Sequence, residues 1–210
     1  MKSFLFKQIP VIGLIIILLS SCNTAKIFTS PDAKELARKQ QIVAIIPSSI
    51  SITAKGNVSA EAMREQQKTE SLNFQKEIHS WILKRKMQGK ITVEIQDIET
   101  TNALLERAGY PEKLLTTSEL CETLGVNGIL VSNFALSKPM SDGAAIAVGV
   151  LLGGTGRTNT VQAKLSINDC ENHKLIWNYE NKLSGGLGST TSTIVDQLMR
   201  NASKKMPYIK

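Results

Sequence analysis

The sequence has few of the side chains that catalysis and metal binding use most. It contains two histidines, His79 and His173, and three cysteines, Cys22, Cys121 and Cys170. None of them stands in an HExxH or CxxC spacing, so the common zinc motifs are excluded. No GxSxG motif joins a nucleophilic serine to a base. The sequence therefore predicts neither a metal centre nor a catalytic motif.

A phosphate-binding loop is also missing. Gly149 and Gly154 have the spacing of the two glycines in GxxxxGK[ST], but Thr155 stands where that loop requires lysine. Aromatic residues make up 5% of the chain, and no basic stripe interleaved with aromatics occurs. A nucleic-acid surface normally shows both features. We expect neither a nucleotide nor a nucleic acid as a partner.

The first 21 residues have the three parts of an export signal. Lys2 and Lys7 form a basic head, and residues 8–21 are uncharged and rich in Ile, Leu and Val. This run is shorter than the roughly 20 residues of a membrane-spanning helix. It ends in small residues, as a cleavage site does. Leu19-Ser20-Ser21-Cys22 closes the segment and resembles a lipobox, the site of signal peptidase II.

This resemblance implies cleavage between Ser21 and Cys22 and a lipid on Cys22, because a cysteine thiolate is the nucleophile that accepts diacylglycerol. Two or more acyl chains give stable membrane anchoring. Asn23 follows, instead of the aspartate that retains lipoproteins at the inner membrane in enteric bacteria. The resemblance thus favours an outer-membrane anchor and a domain facing the periplasm. Alternatives are an ordinary signal peptide and a retained signal anchor. We expect no cofactor besides this covalent lipid.

Charge and the remaining cysteines add little to this prediction. The formal charge falls from +7 to +5 on cleavage, because Lys2 and Lys7 leave with the signal. An excess of this size is typical of a solubilising surface. Cys121 and Cys170 can pair in an oxidising compartment. Nothing in their spacing requires a bond, and we expect two free thiols.

Hydrophobic periodicity predicts one domain over residues 41–210, preceded by a lipid-anchored polar tether over residues 22–40. The predicted order is β-α-β-α-α-β-β-β-α. It starts with a buried strand at 41–46, stopped by Pro47, and a loop at 48–58. Ser59 caps a long helix, Thr116 begins a capping box, and Thr190 begins the last helix. This order predicts an α/β (α+β) fold with a single mixed β-sheet flanked by helices.

Three motifs, in this order, carry a resemblance to a known family. They are a helix ending at Leu124-Gly125 that runs into a strand, a hairpin from Val161 whose return contains Lys174-Leu-Ile-Trp177, and a Ser/Thr-rich entry into a last helix ending near Tyr208. Together they resemble the curli-secretion lipoprotein (CsgG) superfamily and the N-terminal domain of TolB. The resemblance implies a TolB-N/CsgG-like core from the non-pore, periplasmic branch of that superfamily.

Residues 144–152 are entirely apolar or glycine. They occupy the place where the family's pore has the first of two amphipathic hairpins. They lack the alternation of a barrel strand, and the second hairpin is missing. An exposed apolar segment is typical of a contact surface. The predicted membrane or partner contacts are Ile146, Val148, Val150, Leu151 and Leu152.

The sequence thus predicts a non-catalytic lipoprotein of the outer membrane. It would act in envelope assembly or secretion by docking protein partners or by self-association. Two alternatives stay open at this stage: a subunit of an oligomeric outer-membrane secretion channel, and an envelope hydrolase.

Overall fold

The computed structural model of the chain describes residues 25–53, 59–137, 159–185 and 189–210. The helices in these ranges are α1 Ala33–Lys39, α2 Ala60–Met87, α3 Ile98–Arg107, α4 Thr117–Leu124 and α5 Thr191–Ala202. The strands are β1 Lys26–Thr29, β2 Ile42–Ile45, β3 Ser49–Ile52, β4 Glu94–Ile95, β5 Gly128–Leu136, β6 Asn159–Asp169 and β7 Lys174–Gly185. Within these ranges, no helix is both long and apolar enough to cross a membrane.

All seven strands belong to one sheet. Its order is β1-β7-β6-β5-β2-β4, and β3 also pairs with β5. The pairs β5–β6, β6–β7 and β7–β1 are antiparallel. Strands β2 and β3 run parallel to β5, and β4 runs parallel to β2. This confirms the predicted single mixed sheet flanked by helices.

Strand β2 lies between two helical layers, which explains its continuous β-branched sequence. Val43 and Ile45 pack in the larger apolar cluster with residues of α2 and α5. Ala44 and Ile46 point the other way, into a cluster with residues of α3 and α4. All four side chains are at most 1% exposed.

The predicted helix starts are confirmed by their caps. The Ser59 hydroxyl accepts a hydrogen bond from the Ala62 N–H at 3.1 Å. Thr116 and Glu119 form the predicted capping box at the start of α4. Each cap satisfies backbone N–H groups that have no partner inside the helix.

The folded domain begins earlier than the sequence predicts. The predicted tether, residues 22–40, contains β1 and α1. Strand β1 pairs with β7, and Ala33, Leu36 and Ala37 of α1 are buried in the main core. The boundary therefore moves from residue 41 to about Lys26, because apolar residues at helical spacing give this polar segment a buried side.

A second correction concerns the predicted loop 48–58, because it contains β3. Strand β2 pairs with the first half of β5, and β3 pairs with its second half. Pro47, which has no N–H to donate, interrupts what would otherwise be one long strand. The buried hydroxyls of Ser48 and Ser132 lie 2.7 Å apart in a hydrogen bond beside this break.

Candidate docking site

Several strand ends meet at one end of the sheet, which we call the loop end. Ile52 of β3 lies opposite Leu136 of β5, and Leu136 lies opposite Val161 of β6. The backbones of Asn159 and Gly185 pair at the far end of the β6–β7 hairpin. Three segments outside the described residues join the sheet here: 54–58, 138–158 and 186–188.

The N-terminal end of strand β1 points toward this same end. β1 runs antiparallel to β7, with Lys26 opposite Glu180. The N-terminal end of β1 therefore points toward the C-terminal end of β7, which lies at the loop end, from a position opposite the middle of β7. Cys22 stands four positions before Lys26, so an extended chain separates the two by at most about 14 Å. The predicted cleavage and lipidation residues, Ser21 and Cys22, lie outside the described residues.

The residues on either side of the 138–158 connection, which contains the apolar segment predicted to make contacts, lie at the loop end. The Ser137 N–H donates to the Thr160 carbonyl at 3.1 Å, and the Thr160 N–H donates to Ser137 Oγ at 2.9 Å. These bonds hold the two ends of the 138–158 connection side by side. The predicted contact residues themselves lie outside the described residues: Ile146, Val148, Val150, Leu151 and Leu152.

The opposite end of the sheet is held by a disulfide, so the expectation of two free thiols is wrong. Cys121 of α4 and Cys170 after β6 are bonded, with their Cα atoms 5.6 Å apart. The Cys170 N–H donates to the Asn127 carbonyl at 3.0 Å. This contact holds the β6–β7 turn against the chain between α4 and β5. The two cysteines are 49 positions apart in sequence, so only the tertiary fold brings them together.

A buried polar cluster also stabilises the end of the sheet that contains the disulfide. We call this end the locked end. The Tyr208 hydroxyl donates to Gln40 Oε1. Gln40 Nε2 donates to Asp169 Oδ1 at 2.9 Å, and the Asn172 N–H donates to Asp169 Oδ2 at 2.8 Å. Burial raises the pKa of Tyr208 far above its usual range. The cluster links the C-terminal residues, the end of α1 and the β6–β7 turn.

We expect Tyr208→Phe to destabilise the fold by about 2 kcal/mol, because it leaves the buried Gln40 oxygen without its donor. Urea unfolding of the mature chain at neutral pH measures this difference. Tyr110→Phe is the matched control, since it removes the same oxygen from a half-buried ring outside the cluster. Unchanged unfolding of Tyr208→Phe would contradict a role for the cluster in stability.

An ion pair joins α1 to the start of β7 at the locked end. Lys174 Nζ lies 2.5 Å from Asp32 Oδ2. The hydrogen bond from Lys174, with a second from the Ser30 hydroxyl, lowers the pKa of Asp32 to about 2. Both side chains are about 40% exposed, with values of 42% and 40%. Solvent therefore screens the pair, and it serves mainly to orient α1.

The groove between α2 and α5 has a volume of about 680 Å³. The Arg85 guanidinium lies over the Trp81 ring, 4.7 Å from its centroid, on one wall. Charges of both signs line the groove, and they belong to Glu77, Lys84, Arg85, Asp196 and Arg200. This mixture selects no single class of ligand.

Neither histidine contributes to a metal site in the described part of the chain, where no group of His, Cys, Asp and Glu could hold an ion. His79 lies on α2, where burial lowers its pKa. His173 lies in the β6–β7 turn with a positive φ of 50°.

The sequence patterns predict no role for β1, yet this strand exposes two large apolar side chains. Ile27 is 44% exposed and Phe28 is 49% exposed. The four-residue run of β1 contains β-branched and aromatic residues, which favour strands. This strand pattern is only four residues long and is surrounded by polar residues, so the sequence alone does not predict the strand.

No known protein family matches the chain, and no curated protein matches it. Solved structures similar to it include the PelC dodecamer from Paraburkholderia phytofirmans, at 10% identity and a TM-score of 0.39, over 89% of this chain and 96% of that chain. Lipoprotein GNA1162 from Neisseria meningitidis is 10% identical, with a TM-score of 0.45, over 79% of this chain and 96% of that chain. The LpoB C-terminal domain from Escherichia coli is 12% identical, with a TM-score of 0.32, over 72% of this chain and 95% of that chain. These likenesses are remote and assign no function. The resemblance to the CsgG and TolB superfamily stays a prediction.

Proposed function

We propose that the chain is a lipoprotein held in the outer membrane by acyl chains on Cys22, with its domain facing the periplasm. The observation that carries the proposal is the direction of β1, whose N-terminal end points toward the loop end. Strand β1 starts at Lys26, opposite Glu180 in the middle of β7. Both ends of the 138–158 connection lie at the loop end. A lipid within about 14 Å of β1 would hold that end close to the bilayer. The Cys121–Cys170 disulfide supports an oxidising compartment such as the periplasm.

The proposed activity is non-catalytic contact in envelope assembly or secretion. The apolar residues of 144–152 would dock a protein partner of the envelope or a second copy of the chain. Because the 138–158 connection attaches to the sheet at the loop end, this contact would lie near the membrane. The lipid would hold the protein at the membrane. The apolar segment would provide the binding affinity, since apolar burial drives most protein association.

Crosslinking in intact envelopes tests this activity. A variant with serine at Ile146, Val148, Val150, Leu151 and Leu152 should lose a specific crosslinked product, either a dimer or a partner complex. Acylation of Cys22 and recovery in the membrane fraction should not change. Leu114→Ser/Met87→Ser is the control, because both side chains are 88% exposed outside the segment, and it should keep the product.

Recovery of monomer alone from the unsubstituted protein, with its lipid intact, would contradict docking. Ion conductance by the purified lipoprotein in planar bilayers would instead favour the secretion-channel alternative. Hydrolysis of an envelope substrate would favour the hydrolase alternative.

A further inference from the structure

The register of β1, β7 and β6 gives the sheet two different faces, because residues directly opposite each other on paired strands share a face. One face is buried beneath helices, and Val161, Leu165 and Tyr179 there are at most 2% exposed. We call the other face the open face. One of its rows contains Lys26, Glu180 and Lys164, and the next contains Phe28, Asn178 and Ser166. The Ser166 hydroxyl donates to Asn178 Oδ1 at 3.0 Å within its row.

Helices of the described ranges cover only part of this side of the sheet. α3 and α4 pack against β2 and the first residues of β5, where Ala44 and Ile129 are fully buried. Beyond them, Lys164 of β6 and Lys182 of β7 are exposed. The outer strands β1, β7 and β6 therefore present side chains of the open face to their surroundings.

The open face combines positive charge with exposed apolar groups. Its charged side chains in β1, β6 and β7 are Lys26, Lys164, Lys182 and Glu180, three bases to one acid. Phe28 is 49% exposed on this face. Leu175, which lies opposite Asn168, is 40% exposed on the same face. Lysines beside exposed apolar side chains are typical of protein surfaces that lie at a lipid interface.

We propose that the open face lies against an anionic phospholipid surface. Lys26 and Lys164 contact headgroup phosphates, and Phe28 enters the boundary with the acyl chains. The short chain between Cys22 and β1 supports a lipid surface as the occupant. Lys26, the first residue of β1, stands only four positions after Cys22. The inference rests on the proposed function in one respect, since the lipid on Cys22 brings this face to the bilayer.

A mature chain carrying Cys22→Ser separates the surface from the anchor. In sedimentation with vesicles of phosphatidylethanolamine and phosphatidylglycerol it should bind, and with phosphatidylcholine vesicles it should bind far less. One lysine near an anionic surface strengthens binding about five-fold. Lys26→Gln/Lys164→Gln should therefore weaken binding about twenty-five-fold. Phe28→Thr, which keeps strand propensity, should weaken it several-fold.

The control is Lys68→Gln/Lys76→Gln, which removes the same charge from exposed positions of α2. This helix packs on the buried face of the sheet, away from the open face. It should change vesicle binding little. Equal losses in both double variants, or no preference of the parent chain for anionic vesicles, would overturn the proposal.

The lipid-bearing protein provides a second measurement. Phe28→Trp places a reporter on the open face, and brominated phosphatidylglycerol should quench its fluorescence. An unquenched reporter, or protection of this face by an envelope protein instead of lipid, would also overturn the proposal. Absence of acyl chains on Cys22 by mass spectrometry counts against the proposed function alone, because vesicle binding of the unlipidated chain is measured separately.

Discussion

Cys22→Ser should abolish acylation and release the protein from salt-washed membranes. The lipid-transfer reaction uses a thiolate nucleophile, which a serine hydroxyl does not provide. Each CH₂ of an acyl chain contributes roughly 0.8 kcal/mol of membrane affinity, so losing all chains removes the anchor. The lysines of the open face hold the chain by charge, and salt screens that attraction. Metabolic labelling with palmitate and fractionation of the envelope measure both effects.

The other two cysteines provide the matched control. Cys121→Ala/Cys170→Ala should keep the palmitate label, because these cysteines are 5% and 8% exposed and joined to each other. Persistent membrane association of Cys22→Ser as an uncleaved precursor would contradict the lipobox and favour a retained signal anchor.

Removing the disulfide between Cys121 and Cys170 should lower the free energy of unfolding strongly. The bond closes a loop between positions 49 apart, for which chain entropy predicts about 4 kcal/mol of stabilisation. A loss of that size is large beside a total stability of about 5–15 kcal/mol. Urea unfolding of Cys121→Ala/Cys170→Ala should therefore show a much lower midpoint than the parent chain. Reduced parent protein should match the variant, because reduction opens the same loop.

Thiol trapping in intact cells tests whether the bond forms in place. Protein from rapidly alkylated envelopes should show no accessible thiol at Cys121 or Cys170 before reduction and two thiols after it. Alkylation of both thiols without a reductant would contradict the bond, and with it the support for an oxidising compartment.

The parts of the fold that were predictable have strong local signals. β2 is a continuous apolar run because helices cover both of its faces. The start of α4 is encoded by side chains that bond to their own backbone. By contrast, β3 has only Ile50 and Ile52 as apolar residues, set among serines, and its partner β5 lies far along the chain. Its pairing depends on where β2 has already placed the backbone.

The residues of the candidate site stay a prediction from the sequence, whereas the arrangement of the strands around it comes from the structure. The lipobox at Cys22 and the apolar run at 144–152 are visible in the sequence. The orientation of β1 toward the loop end depends on its antiparallel pairing with β7, a contact between residues more than a hundred positions apart. The open face depends on the same register, because Lys26, Lys164 and Glu180 become neighbours only across three strands.

The antiparallel pairing of β1 with β7 also determines how the domain would bear a mechanical load. A pull on the chain ahead of Lys26 acts along β1, parallel to β7. The rungs from Lys26 to Thr29 are then loaded together in shear, instead of opening one after another like a zipper. Behind them, the Asp32–Lys174 pair and the buried face of α1 resist the same displacement. A load applied between the anchor and the locked end would therefore be carried by these rungs in shear, and the sheet would stay folded.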